Sequence, residues 1–229
     1  MIRGGNDRLG LFNIDLMEIK SKNKKSSNFA KIFLVRHGDV QNPKHVLYGY
    51  LPFPLSLKGR MEAKKAGLVL RDKNIAAIFA SPQKRVQESA KIISQVISKG
   101  KIKVQTAKDL HETALGHLWE KLTKQQAKEK YPKIFHDYYR RPAKVKISGE
   151  NLAKMAERVL RAVRKGIKKY PGRNLVFLSH QDPIVAALLK ISKRDFNDLH
   201  KVKAIFGTGS VSEVRSVGKK LINKTYLAP

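Results

Sequence analysis

Ile32-Phe33-Leu34-Val35-Arg36-His37-Gly38 is the stretch that decides how the rest of the chain is read. A continuous apolar run of this length reads as a buried strand. It stops abruptly at a permanent cation, an imidazole and a glycine. The strand therefore delivers Arg36 and His37 to its carboxyl edge, the edge at which open α/β sheets bind ligands. Imidazole can attack phosphorus, and guanidinium holds phosphate oxygens in a fork.

Outward from this strand, apolar runs alternate with helical patterns, the signature of βαβ units. Leu57–Arg71 has the Ala63-Ala66-Gly67-Leu70 spacing of a helix, and Ile75–Ala80 is a second strand. Pro82–Ser98 is expected to be a helix, with Ser81 as N-cap and Pro82 in its first turn. Ile102–Gln105 is a short strand. Lys124–Tyr131 and Ile134–Arg140 are two short helices broken at Pro132. Leu152–Tyr170 is a long helix, Leu175–Leu178 the next strand, and Asp182-Pro183 is expected to cap and open another helix. Val211–Val217 and Leu221–Tyr226 read as edge strands. On the long helix, Leu152, Met155, Val159, Ala162, Val163 and Ile167 form an apolar face. Lys154, Arg158, Arg161, Lys165 and Lys168 form a basic stripe, expected to be a solvated face, with polyanion contact as the rival. Residues 1–29 are expected to be a flexible basic extension, because the tract from Ser21 to Asn28 cannot form a core. Leu9 to Met17 is an apolar patch that would dock as an extra element.

Three strand ends carry reactive groups. The first gives Arg36-His37, the second leads through Ser81-Pro82 to Arg85, and the fourth gives Ser179-His180. A doubly wound sheet gathers these ends, and helix N-termini near Pro82 and Pro183 add positive partial charge. Such a cluster favours an anion. Phosphoryl transfer needs in-line attack and stabilised equatorial oxygens. A histidine nucleophile divides hydrolysis into two steps, and the leaving alkoxide needs a general acid. Glu112, in Leu110-His111-Glu112, is the candidate acid, its pKa expected to rise beside a phosphate dianion. Metal binding is the rival use of two histidines and a glutamate. Arg36 and Arg85 would repel a divalent ion, and no His-x-His or His-Glu-x-x-His spacing occurs, so neither a metal nor another cofactor is expected.

Composition bounds the partners. The 229 residues carry 48 Lys and Arg against 18 Asp and Glu, a net charge of +30. Residues 121–180 hold 17 basic and 4 acidic side chains. This field would concentrate anions, and nonspecific nucleic-acid contact is an expectation beside the phosphorylated small-molecule substrate. A compositional bias toward lysine explains the same excess. The absence of cysteine excludes disulfides and thiolate catalysis. No apolar run approaches the ~20 residues that span a membrane. Met1 to Phe29 has no apolar core of a secretory signal, so a cytoplasmic location is expected.

These segments resemble the histidine phosphatase superfamily, also called phosphoglycerate mutase-like. The Arg-His-Gly motif stands at Leu34–Gly38 and the second family arginine in Ala80-Ser81-Pro82-Gln83-Lys84-Arg85, followed by Ser89-Ala90. The acid segment is Leu110-His111-Glu112 with Gly116 and Trp119-Glu120. The second histidine is in Leu178-Ser179-His180, and Gly149-Glu150 precedes the long helix. Four blocks in order across residues 30–190 are a specific signal. The resemblance implies a three-layer α/β/α fold with a mostly parallel central sheet. A catalytic domain would span 30–229, with a small helical lid insertion at 118–148. It implies that His37 is phosphorylated, that Arg36, Arg85 and His180 bind phosphate, and that Glu112 donates a proton. Asn42 would be a further phosphate contact, although the family counterpart lies one residue later, at Pro43 here; an Asn-Pro turn is the other account. The chain departs from the family at Gly38-Asp39-Val40, at Lys121, and at Gln181-Asp182 in place of two glycines.

The family contains phosphatases and mutases. The modest insertion and the Leu110–Trp119 segment resemble the phosphatase branch, so a metal-independent phosphomonoester hydrolase is expected, with mutase-type transfer as the alternative. Tyr138, Tyr139 and Arg140 in the insertion are candidate substrate contacts, against the simpler expectation of a packed aromatic lid. A nucleic-acid-binding or catalytically silent scaffold is the remaining class. Neither the physiological substrate nor the oligomeric state can be read from the sequence.

Overall fold

The computed structural model describes residues 29–217 and 220–227. The expected N-terminal extension and its Leu9–Met17 patch lie outside the described residues. Phe29, assigned to that extension, instead opens the first strand and pairs with Val217.

The elements run β1 (Phe29–Arg36), α1 (Leu57–Leu70), β2 (Ile75–Ala80), α2 (Lys84–Ser98), β3 (Val104–Thr106), α3 (Gly116–Trp119), α4 (Lys124–Lys130), α5 (Pro132–Arg140), α6 (Leu152–Lys169), β4 (Asn174–Ser179), α7 (Gln181–Ile191), α8 (Leu199–Lys203), β5 (Val211–Val217) and β6 (Lys220–Leu227). The sheet order is β3-β2-β4-β1-β5-β6. The first four strands are parallel, while β5 and β6 continue the sheet antiparallel. This is the expected mostly parallel sheet between two helical layers. Alternation along β1 builds both layers, since successive side chains point to opposite faces. Ile32 and Leu34 join the core made with α6 and α7, whereas Phe33 and Val35 join the core made with α1 and α2. A strand buried on both faces has no polar alternation, which explains the unbroken run Ile32–Val35.

Four boundaries differ from expectation. Helix α2 starts at Lys84, after an extended Gln83 that makes no side-chain cap. Helix α7 starts at Gln181, with His180 in the cap position and Asp182 inside the first turn. In both cases the expected capping side chain is bonded elsewhere, Ser81 to His180 and Asp182 to Tyr138 and Lys203. Pro132 does not break α5 but begins it, where its missing N–H costs no helical bond. Strand β3, at Val104–Thr106, starts two residues later than expected and ends one later.

The segment 118–148, expected to be an insertion, holds the end of α3, all of α4 and α5, and a 3-10 turn at Pro142–Lys144. Thr123 and Gln126 form a reciprocal capping box that starts α4. Trp119 packs edge-on against Phe135 and Tyr138, and Tyr138 against His200 of α8. The segment is thereby fastened to α8 by aromatic packing.

Candidate active site

Register brings the reactive residues together. In the parallel pair β1–β4, Arg36 lies opposite Ser179, and in β2–β4, Ala80 lies opposite Leu178. Just past these ends, His37 N–H donates to Ser179 O (3.2 Å) and Ser81 N–H to Leu178 O (3.0 Å). Arg85 enters from the first turn of α2. His37 and His180 meet edge to face with ring centroids 5.1 Å apart.

The tautomers follow from the partners. His37 Nδ1 lies 2.7 Å from Gly38 O, a group that can only accept, so Nδ1 carries the proton. That leaves a lone pair on Nε2, which faces Arg85 Nε at 3.2 Å. His180 Nδ1 accepts from Arg85 Nη2 (3.1 Å), so its Nε2–H points at Ser81 Oγ (2.9 Å) and Gln83 Oε1 (3.1 Å). The Ser81 hydroxyl in turn donates to Gln83 Oε1. Burial, reinforced by the Arg85 guanidinium, lowers the pKa of both rings well below the ordinary histidine value. Both imidazoles are therefore neutral at neutral pH.

Arg85 has no solvent exposure. Besides the two histidines it donates to Leu51 O (3.2 Å) and Gly49 O (2.7 Å) and lies 4.8 Å over the Tyr48 ring. Arg36 Nη1 donates to Phe206 O (2.9 Å), while its Nε is buried with no protein partner. Glu112 approaches the same His180 nitrogen as Arg85. Its Oε1 accepts from Thr113 N–H (2.9 Å), and its Oε2 lies 3.7 Å from His180 Nδ1. Burial, with the neighbouring Asp182 carboxylate adding to it, raises the Glu112 pKa above the usual carboxylate range. The shift thus exists before any phosphate arrives.

Five expected residues, Arg36, His37, Arg85, Glu112 and His180, converge, and four do not. Asn42 closes a turn on itself: its Nδ2 donates to Val46 O (2.8 Å) and its Oδ1 accepts from Val46 N–H (3.2 Å). Tyr138 is not free to stack on a substrate. Its ring is packed against Trp119, Tyr139 and His200, and its hydroxyl donates to Asp182 Oδ2 (2.5 Å). Tyr139 is 42% exposed and stacks on His200, and Arg140 is exposed. What is observed is mutual packing of these aromatic rings.

Other contributors escaped sequence reasoning. Ser81 and Gln83 orient His180, and Tyr48 backs Arg85. Asp182 meets Tyr138 and, through Lys203 Nζ (2.7 Å), α8. Ser81 and Gln83 stood in the motif that carries Arg85, and Gln181-Asp182 stood out as a departure from two glycines, but nothing in the sequence marked their partners. At the rim, Tyr50 Oη lies 2.6 Å from His111 Nδ1. Among the described residues, no group of three or more His, Asp or Glu is arranged to hold a metal ion. None of their helices is long and apolar enough to cross a membrane.

Comparison with known proteins shows the family and the fold. Residues 32–226 match the histidine phosphatase superfamily (branch 1). An uncharacterised protein of Mycobacterium tuberculosis is 29% identical over 202 residues, covering 87% of this chain and 96% of its own. Phosphoserine phosphatase 1 of Hydrogenobacter thermophilus is 28% identical over 198 residues, covering 84% and 92%. The structure of YhfR from Bacillus stearothermophilus superposes with a TM-score of 0.76 at 22% identity, covering 86% and 96%, which supports the fold.

Proposed function

The chain belongs to the histidine phosphatase superfamily, and from that premise we propose that it is a metal-independent phosphomonoester hydrolase working through a phosphohistidine on His37. One observation carries the proposal. A buried, neutral His37 presents its Nε2 lone pair among Arg85, His180 and Glu112, with its proton held on the far nitrogen by Gly38 O. A histidine already protonated could not attack phosphorus.

In the first step, His37 Nε2 attacks phosphorus in line and the ester P–O bond breaks. Glu112 gives its proton to the departing alkoxide, leaving a carboxylate. Arg36 and Arg85 donate hydrogen bonds to the phosphoryl oxygens, where charge accumulates, and His180 joins them through Nδ1 in its other tautomer, its Nε2 then accepting from the Ser81 hydroxyl. For this, the phosphate takes the place of His37 and His180 as the acceptors of Arg85. In the second step, a water gives a proton to Glu112 and attacks phosphorus. The N–P bond breaks, inorganic phosphate leaves, and the neutral imidazole is restored.

Water as the acceptor, rather than a second phosphorylated molecule, rests on the short segment between Gly116 and Lys144, which holds three small helices and one 3-10 turn. The relatives named as phosphatases support that preference. Hydrolysis of p-nitrophenyl phosphate should proceed with chelator present and vanish in His37→Ala. Phosphohistidine should be trapped by rapid alkaline quench of the wild type, since its N–P bond is labile in acid, and be missing in that variant. Fast interconversion of phosphoglycerates with slow hydrolysis would establish the mutase instead. Salt-sensitive nucleic-acid binding without hydrolysis would establish the silent scaffold.

A further inference from the structure

The basic stripe of α6 does not face solvent as a unit. Arg158 is buried, at 4% exposure, and points inward beneath the segment that carries Glu112. Its Nη1 donates to two backbone carbonyls, Asp109 O at 3.0 Å and His111 O at 2.6 Å. The carbonyl between them, Leu110 O, accepts from Ser179 Oγ at 2.6 Å. Three consecutive carbonyls leading into Glu112 are thus held, two by one guanidinium and one by the residue before His180.

The guanidinium is itself held. Its Nε and Nη2 form a two-pronged pair with the Glu150 carboxylate, at 2.7 and 2.9 Å. Glu150 is set by a tight turn in which Ile147 and Glu150 exchange both backbone hydrogen bonds, at 3.0 Å each. The two residues of the turn, Ser148 and Gly149, both have positive φ, 49° and 80°, the conformation of a type I′ turn that favours glycine. One turn further along α6, Arg161 makes a two-pronged pair with the Asp109 carboxylate (3.1 and 2.7 Å), and Lys165 adds a third contact at 3.5 Å. Residues 158, 161 and 165 share one helical face, so the stripe grips a single loop.

A buried arginine needs such partners to offset its desolvation. Here every one of them lies on the Glu112 loop or on the turn that braces it. We propose that Arg158, anchored by Glu150, is a positioning residue that sets where the Glu112 carboxyl stands relative to the leaving-group oxygen. The proposal rests on Glu112 being the proton donor. A misplaced donor loses proton transfer while leaving the nucleophile and the phosphate clamp intact.

Leaving-group dependence separates this from a structural role. An aryl phosphate releasing p-nitrophenolate needs little protonation, whereas an alkyl phosphate needs the proton. In Arg158→Met, kcat for an alkyl phosphate should fall by about 10- to 100-fold, and for p-nitrophenyl phosphate by less than about threefold. Arg158→Lys keeps the charge but cannot make the four contacts, and Glu150→Gln keeps the shape but weakens the anchor. Both should show the same imbalance to a smaller degree, and either serves if the methionine variant does not fold. Equal losses on the two substrates in these variants would overturn the proposal. Glu112→Gln is the reference. If it shows the imbalance and the Arg158 and Glu150 variants do not, the positioning role alone is wrong. If Glu112→Gln itself shows no imbalance, both the proton-donor assignment and the positioning role fall.

Discussion

At the residue scale, the site is a problem of too few donors in fixed places. Arg85 distributes its guanidinium over His37, His180, Leu51 O and Gly49 O, and its flat face lies on Tyr48. Lysine has a compact ammonium with no fork and cannot reproduce this set. Arg85→Lys should lower kcat/KM for p-nitrophenyl phosphate by about 10²–10³, the usual effect of removing one oxyanion donor. A loss below about threefold would mean that Arg85 does not face the phosphoryl group. The pH profile follows from the two shifted groups. Activity needs His37 neutral and Glu112 protonated, so kcat/KM should rise through the lowered pKa of His37 and fall through the raised pKa of Glu112. Glu112→Gln should abolish the alkaline fall in a profile measured on an alkyl phosphate, the substrate whose leaving group needs the proton. The same shift acts on stability. A carboxyl whose folded pKa lies above its unfolded one stabilises fully below the unfolded pKa, and that contribution is lost as pH rises through the folded pKa. Glu112→Gln should therefore raise Tm more at pH 8 than at pH 5, and thermal melts at the two values will read the sign.

At the element scale, α1 is docked by two glycines. A Cβ on Gly38 would stand 2.1 Å from Gly59 O, and one on Gly59 would stand 1.9 Å from Asp39 O. Both obstacles are backbone, so no side chain can turn aside. Ser56 fixes the approach by accepting from Gly59 N–H (3.0 Å) and donating to Asp39 Oδ2 (2.6 Å). Gly38→Ala should cost about 3 kcal/mol, the upper end of overpacking, in urea unfolding, and should lower activity because His37 hydrogen-bonds Gly38 O. An alanine variant as stable and active as the parent would show that this close approach does not matter. The glycine of Arg-His-Gly was legible in the sequence as a motif, but its partner Gly59 was not. The difference is general in this chain. Strands β1, β2 and β4 were legible because residues buried on both faces leave an unbroken apolar run. The apolar face of α6 was legible from its period. Ser81 and Asp182 were mistaken for caps because the pattern of a capping residue before proline is local, whereas the partners that captured them, His180, Tyr138 and Lys203, are distant in sequence. Arg158 was placed in a solvated stripe for the same reason. Its carbonyl partners carry no side-chain signature.

At the scale of the whole molecule, the sheet order explains why four of the five catalytic candidates were foreseeable. Arg36, His37 and His180 leave adjacent parallel strands at one edge, and Arg85 follows the neighbouring strand by one helical turn. The whole chain carries a net charge of +30, and two accounts of it make opposite forecasts. If the field attracts the phosphate dianion, kcat/KM should fall by about tenfold as ionic strength rises, because the Debye length shrinks from about 30 Å at 0.01 M to about 10 Å at 0.1 M. The fall should appear in KM, with kcat at saturation little changed, since short-range bonds hold the bound phosphate. Reversing exposed charges far from the chemistry, in Lys154→Glu with Lys168→Glu, should flatten the salt dependence while leaving high-salt kcat unchanged. If the charge is only a compositional bias, kcat/KM will be flat in salt in both proteins. In either case screening of self-repulsion should raise Tm with added potassium chloride, so the melt shows that the field exists and the kinetics show whether the substrate feels it.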